Sequence, residues 1–196
     1  MFATADRDTQ APSHASRLAA MLAIAALSLA LTGCQASRPH AASQTDIPSE
    51  TNAELIEYIS NQPFVAAEPA YRAVYILSTG DIYDGGFDEL TGEMKSSKLV
   101  RGEWGYDATT YLDRSDIGFM VARACEIRSG LNWNLTGLGR YAYRELAFRN
   151  IAHPAGETTL ISGGEFLGLM ARAEEYLHKV GRAPGEEAEL GPEPAK

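Results

Sequence analysis

Apolar residues recur at helical spacing through the middle of the chain, and the polar residues between them supply helix starts and stops. Thr51 and Glu54 stand at capping-box spacing ahead of Leu55, Ile56 and Ile59, which share one side. Pro63 stops or kinks that segment, and Pro69 suits the first turn of the next. There Ala70, Ala73, Val74 and Leu77 repeat at i, i+3, i+4 and i+7, a core-facing stripe that Gly80 is placed to end. Asp113 and Asp116 form a cap-like pair before Ile117, Met120, Val121 and Ala124. Ser162 and Glu165 stand the same way before Phe166, Leu169, Met170, Ala173 and Leu177, with Gly181 beyond. The pattern predicts a mainly α domain over 51–182, its stripes serving as core rather than as a cofactor-binding face.

Two stretches repeat one another. Ala70-Tyr71-Arg72 recurs as Ala142-Tyr143-Arg144, and Ala122-Arg123-Ala124 recurs as Ala171-Arg172-Ala173 behind matching cap residues. Residues 63–128 and 135–181 each read as helix, loop, cap, helix. Such a pair cannot bury its one apolar face alone, so two duplicated helix-loop-helix units on a shared core are expected. The first loop, 84–108, is the longer. Its glycines and short apolar patches predict a small β-hairpin or an extended excursion.

The ends of the chain differ in kind from the body. Residues 18–31 are apolar apart from Ser28, and in helix they span roughly 21 Å, short of the roughly 30 Å hydrocarbon core. With Arg7 and Arg17 ahead, they read as the h-region of an export signal. Leu31-Thr32-Gly33-Cys34 follows directly, and this stretch resembles the lipobox of bacterial lipoproteins. The resemblance implies a diacylglyceryl group on the Cys34 thiol, cleavage before it and acylation of the new amine. Several acyl chains then anchor the protein to a lipid bilayer, where one alone holds only marginally. Gln35, in place of the Asp of inner-membrane lipoproteins, implies the periplasmic face of the outer membrane. The expected organisation is a signal peptide (1–33), a polar flexible tether (34–50), the helical domain and an acidic, proline-rich tail (183–196).

Charge and side-chain chemistry narrow the functions. The 196 residues carry 17 Lys plus Arg against 26 Asp plus Glu, a net charge of -9 that opposes a nucleic-acid partner. Cys125 is the one thiol of the mature body and reads as a small buried apolar group. Asp81, Asp84, Asp88 and Glu89 do not follow the EF-hand order of ligands, and neither His153 nor His178 falls in a metal-ligand motif. No nucleophile elbow or phosphate-cradling glycine loop occurs. The sequence therefore selects no catalytic residue, metal or cofactor.

The helix starts carry a second resemblance. Gly80-Asp81-Ile82 and Asp113-Arg114-Ser115-Asp116 resemble, in degenerate form, the Gly-Ile turn and the Thr-Arg-Ala-Glu helix start of S-layer-homology modules. Ser162-Gly163-Gly164-Glu165 keeps only the hydroxyl and the acid. This resemblance implies helical modules that bind envelope polymer, with the arginine gripping acidic groups. A candidate recognition surface follows: Tyr83, Phe87, Lys98, Arg101, Trp104 and Tyr106 of the first loop, with Arg114 and Asp116 at the helix start. The competing reading folds those aromatics back as a lid on the core. The expected function is a non-catalytic, membrane-tethered envelope lipoprotein that binds a protein or an acidic cell-wall polymer. The alternative is a small envelope hydrolase using a carboxylate pair in an inter-helix cleft.

Overall fold

Side-chain caps set three of the helix starts. The computed structural model describes residues 38–42, 47–48 and 50–184. The signal peptide, Cys34 and the tail beyond Pro184 lie outside the described residues. Seven helices are present among the described residues: α1 (Asn52–Ser60), α2 (Ala67–Thr79), α3 (Phe87–Ser96), α4 (Arg114–Ala124), α5 (Leu131–Thr136), α6 (Gly139–Phe148) and α7 (Gly163–Lys179). Thr51 accepts from the Glu54 amide before α1, and Ser162 accepts from the Glu165 amide before α7. Asp113 and Asp116 close a full capping box on α4. Gly80 ends α2 in the left-handed conformation, at φ 81°, where a side chain is disfavoured. The protein is mainly helical.

The predicted hairpin is absent, and the middle of the first loop is helix α3 instead. Leu90 and Met94, one turn apart, are both fully buried while Gly92 between them is exposed, as a helix requires; in a strand all three would share one face. Asp88 and Glu89 lie in the first turn and Lys95 in the last, matching the helix dipole at both ends. Gly86, which had suggested a strand turn, is the N-cap.

Extended segments tie three helix starts together. Before α2, α4 and α7 the backbone is extended, and these segments bond to one another. Val65 N–H donates to Ile161 O (3.0 Å), Leu112 N–H to Val65 O (3.0 Å) and Arg114 N–H to Thr159 O (3.1 Å). The resulting bridges, Ala66–Tyr111 and Asp113–Leu160, are antiparallel and isolated. Beyond this hub the helices share one core, which includes Tyr71, Val74, Leu90, Ile117, Met120, Leu146, Phe166 and Leu169.

Helices α3 and α6 end alike. At the end of α3, the amides of Leu99 and Val100 both reach Met94 O, and Lys98 takes a left-handed φ of 60°. At the end of α6, the amides of Ile151 and Ala152 both reach Leu146 O, and Asn150 takes φ 62°. Helices α4 and α6 pack through glycine: a Cβ on Gly139 would lie 2.2 Å from Ser115 O, and one on Gly118 would lie 2.7 Å from the Tyr143 Cβ. Cys125 is buried in this core, and burial pushes its thiol up to about 12. No helix among the described residues is long and apolar enough to cross a membrane.

Candidate functional site

The capping box of α4 also forms the floor of a cleft. Asp116, third residue of the helix start, is buried, and its amide bonds Asp113 Oδ1 at 2.9 Å. Its carboxylate accepts from Arg38 Nη1 on one oxygen and from the Tyr106 hydroxyl (3.1 Å) on the other. Arg38 Nη2 also stands 3.7 Å from Asp113, and the guanidinium lies 4.7 Å above the Tyr106 ring centre. Burial, reinforced by the nearby Asp113 charge, pushes the Asp116 carboxyl up to about 6, while Arg38 pulls it the other way. Burial and the Asp116 charge raise the Tyr106 phenol well above its ordinary value.

Aromatic rings continue from this floor into the core. Tyr106 stacks on Trp104 with centroids 5.1 Å apart, Trp104 meets Phe119 at 5.4 Å, and Phe119 meets Trp133 edge-on at 5.6 Å. Arginines are layered between them: Arg101 lies 4.6 Å over Phe119, and Arg123 lies 5.3 Å from both Phe119 and Trp133. Arg101 donates to Gly137 O, which ties the end of α5 to the segment before α4. The cleft, about 360 Å³, is lined by Arg38, Arg101, Trp104, Tyr106, Asp116 and Arg140, with Glu103, Ser115, Leu138 and Gly139 completing it. Arg140 is exposed and makes no ion pair among the described residues, lying instead 4.9 Å over the Tyr141 ring.

Of the candidate residues, Arg101, Trp104, Tyr106 and Asp116 meet in this cleft. The others lie elsewhere. Tyr83 packs on Tyr75 (5.2 Å) and Phe87 on Tyr71 (5.5 Å), both against α2. Buried Arg72 holds them there. It pairs with Glu68 and donates to the carbonyls of Tyr83 (2.7 Å) and Gly85 (3.1 Å). Lys98 is exposed at the end of α3. Arg114 turns toward α7, where its Nε donates to Glu165 Oε1 at 2.7 Å and its Nη1 reaches the Thr159 hydroxyl. The four loop aromatics are half-buried against the core, so the lid reading describes their packing, while Trp104 and Tyr106 also line the cleft.

Two arginines of the cleft carry no signal in the sequence. Arg38 lies within the stretch read as a tether, 78 positions from its partner Asp116. Arg140 precedes the repeated Ala142-Tyr143-Arg144 but matches no motif. Among the described residues no three His, Cys, Asp or Glu side chains gather as a metal site. Comparison with protein-family models, curated proteins and solved structures gives no match, so the chemistry of the cleft rests on its own geometry.

Proposed function

We propose that this protein is a non-catalytic binding module of the bacterial envelope, anchored on the periplasmic face of the outer membrane through acylated Cys34. Its cleft takes an acidic partner, a carboxylate-bearing cell-wall polymer or an acidic protein segment. The observation that carries this reading is the pairing of a stacked Trp104–Tyr106 platform with guanidinium groups at one opening. Aromatic faces suit the apolar faces of sugar rings, and a planar guanidinium binds carboxylates in bidentate fashion. Arg140 makes no ion pair among the described residues and spends only one long bond, 3.4 Å, on the Tyr141 hydroxyl.

The hydrolase alternative draws on two carboxylates in the same cleft with opposite tendencies: Asp116 raised by burial, and Glu103 lowered chiefly by its own backbone amide. A catalytic acid must reach the substrate. Both Asp116 oxygens are already held, by Arg38 and by Tyr106, which favours binding over hydrolysis.

Two measurements test the proposal. In cells, C34A should lose membrane fractionation and detergent partitioning; unchanged partitioning overturns lipidation. In vitro, the mature protein should be retained by envelope polymer, W104A should lose that retention while staying folded, and no product should be released. Release of soluble saccharide that stops in D116N would establish the hydrolase instead.

A further inference from the structure

Helix α5 presents an apolar face that the fold leaves uncovered. Trp133 turns into the core and donates to Ile127 O at 2.9 Å. Leu131 and Leu135, four apart and therefore together on the opposite side, are 82% and 79% exposed. Leu138 follows just past the helix, and Phe148 on the adjoining α6 is 82% exposed. No other large apolar residue among the described residues exceeds 45%. The same region reverses the charge of the protein. From 123 to 149 there are five arginines against Glu126 and Glu145, a local balance of +3 in a chain of -9.

The route of the chain decides what covers this face. Arg38 is fixed in the cleft whose wall includes Leu138, Gly139 and Arg140, immediately beyond α5. The next residues are held too: Ala41 N–H donates to Thr109 O (2.9 Å) and Tyr111 N–H to Pro39 O (3.0 Å). Three residues, 35–37, therefore separate Cys34 from a fixed point, and even fully extended they place the cysteine at most about 14 Å from Arg38. Chain length alone therefore keeps an acylated Cys34, and the bilayer holding it, within reach of the end of the body that carries Arg38.

We infer that the α5 face is a second membrane contact. Leu131, Leu135 and Leu138 enter the headgroup layer of an anionic bilayer, while Arg128, whose side chain is 87% exposed, meets its phosphates. Anchor and patch together fix the orientation of the body, holding the Trp104–Tyr106 cleft beside the membrane surface. This rests on the lipoprotein reading and deepens it.

The test uses the mature acylated protein in vesicles of phosphatidylethanolamine and phosphatidylglycerol. An environment-sensitive dye is attached to L135C or, as control, to I56C on α1. The dye at 135 should shift to the blue and lose most of its emission to brominated lipid, whereas the dye at 56 should do neither. If the protein floats with the vesicles but the dye at 135 stays unquenched, the α5 contact is wrong and the anchor stands. A chain that carries no acyl mass and does not float overturns the anchor and this contact with it. A blue shift at 135 that appears without lipid and grows with protein concentration assigns the face to a second copy of the chain, which also overturns the inference.

Discussion

Arg38 and Asp116, 78 positions apart, are joined by a charge-assisted hydrogen bond that makes Arg38, within the stretch read as a tether, part of the folded body. Asp116 simultaneously caps α4, through the Asp113 amide at 3.3 Å, so one carboxylate serves a helix start and a strap. R38A removes the only cation on that carboxylate among the described residues and leaves a buried charge with Tyr106 and an amide alone. Because Arg38 is about one-third exposed, solvent screens part of the pair. We expect a loss of about 1–2 kcal/mol in denaturant unfolding. Hydrogen exchange should also speed up at the Ala41 and Tyr111 amides, which the strap protects. Exchange unchanged at both positions would show that the strap holds by its backbone bonds alone.

The same carboxylate gives the protein a pH signature. Its folded value of about 6 lies above the roughly 3.9 of an unfolded Asp, so the folded state binds the proton more tightly. Its contribution to stability is therefore fully present below the unfolded value and lost as pH rises through about 6. Unfolding midpoints of the wild type, relative to D116N, should rise as pH is lowered from about 7 to about 4.5. Parallel profiles for the two proteins across that window would remove the burial argument. Protonation also weakens the Arg38 pair, so the protection factors of the strap amides, corrected for the intrinsic slowing of exchange at lower pH, should fall over the same interval.

Glycine positions separate close packing from open helix surface. G139A and G118A each place a methyl group against α4–α6 backbone that cannot swing aside, and we expect losses of about 1–3 kcal/mol or more. Gly92 lies in the middle of α3 with nothing within 4 Å of an added Cβ. There G92A should stabilise the protein by about 0.5–1 kcal/mol through helix propensity. Thermal and denaturant unfolding of the three variants checks both signs, and equal destabilisation by all of them would contradict the packing described.

Caps were the legible part of this fold, because they are local chemistry. Thr51, Gly80, Asp113 and Ser162 each act within four residues, and each stands where the pattern predicts. Helix α3 was obscured because glycines at 85 and 86 mimic a strand turn, while its burial rests on only Leu90 and Met94. The cleft was half legible. Arg101, Trp104 and Tyr106 lie close in sequence to Asp116, but the arginines that complete the opening come from residue 38 and from the start of α6. No spacing rule links such distant positions. Arg114 misled for a related reason: its neighbour in sequence is the cleft, while its partner in space is Glu165, 51 residues on.

That misplacement yields a pair of opposite expectations. Arg114 is largely buried, bonded to Glu165 and Thr159, and links the starts of α4 and α7. R114A should lower stability by about 2 kcal/mol by leaving Glu165 without its cation, yet leave retention by envelope polymer unchanged wherever the protein is folded. Arg140 is exposed at the cleft mouth, over the Tyr141 ring and 3.4 Å from the Tyr141 hydroxyl, with no ion pair among the described residues. R140A should leave unfolding within about 0.5 kcal/mol of wild type and weaken retention several-fold, while the conservative R140K restores charge but not bidentate geometry and recovers only part of it. Stability and retention measured side by side on the three variants decide between the positions. If R114A loses retention at unchanged stability, the ligand is gripped at the helix start, as the S-layer-homology resemblance implies, and the cleft centred on Trp104 and Tyr106 is not the binding site.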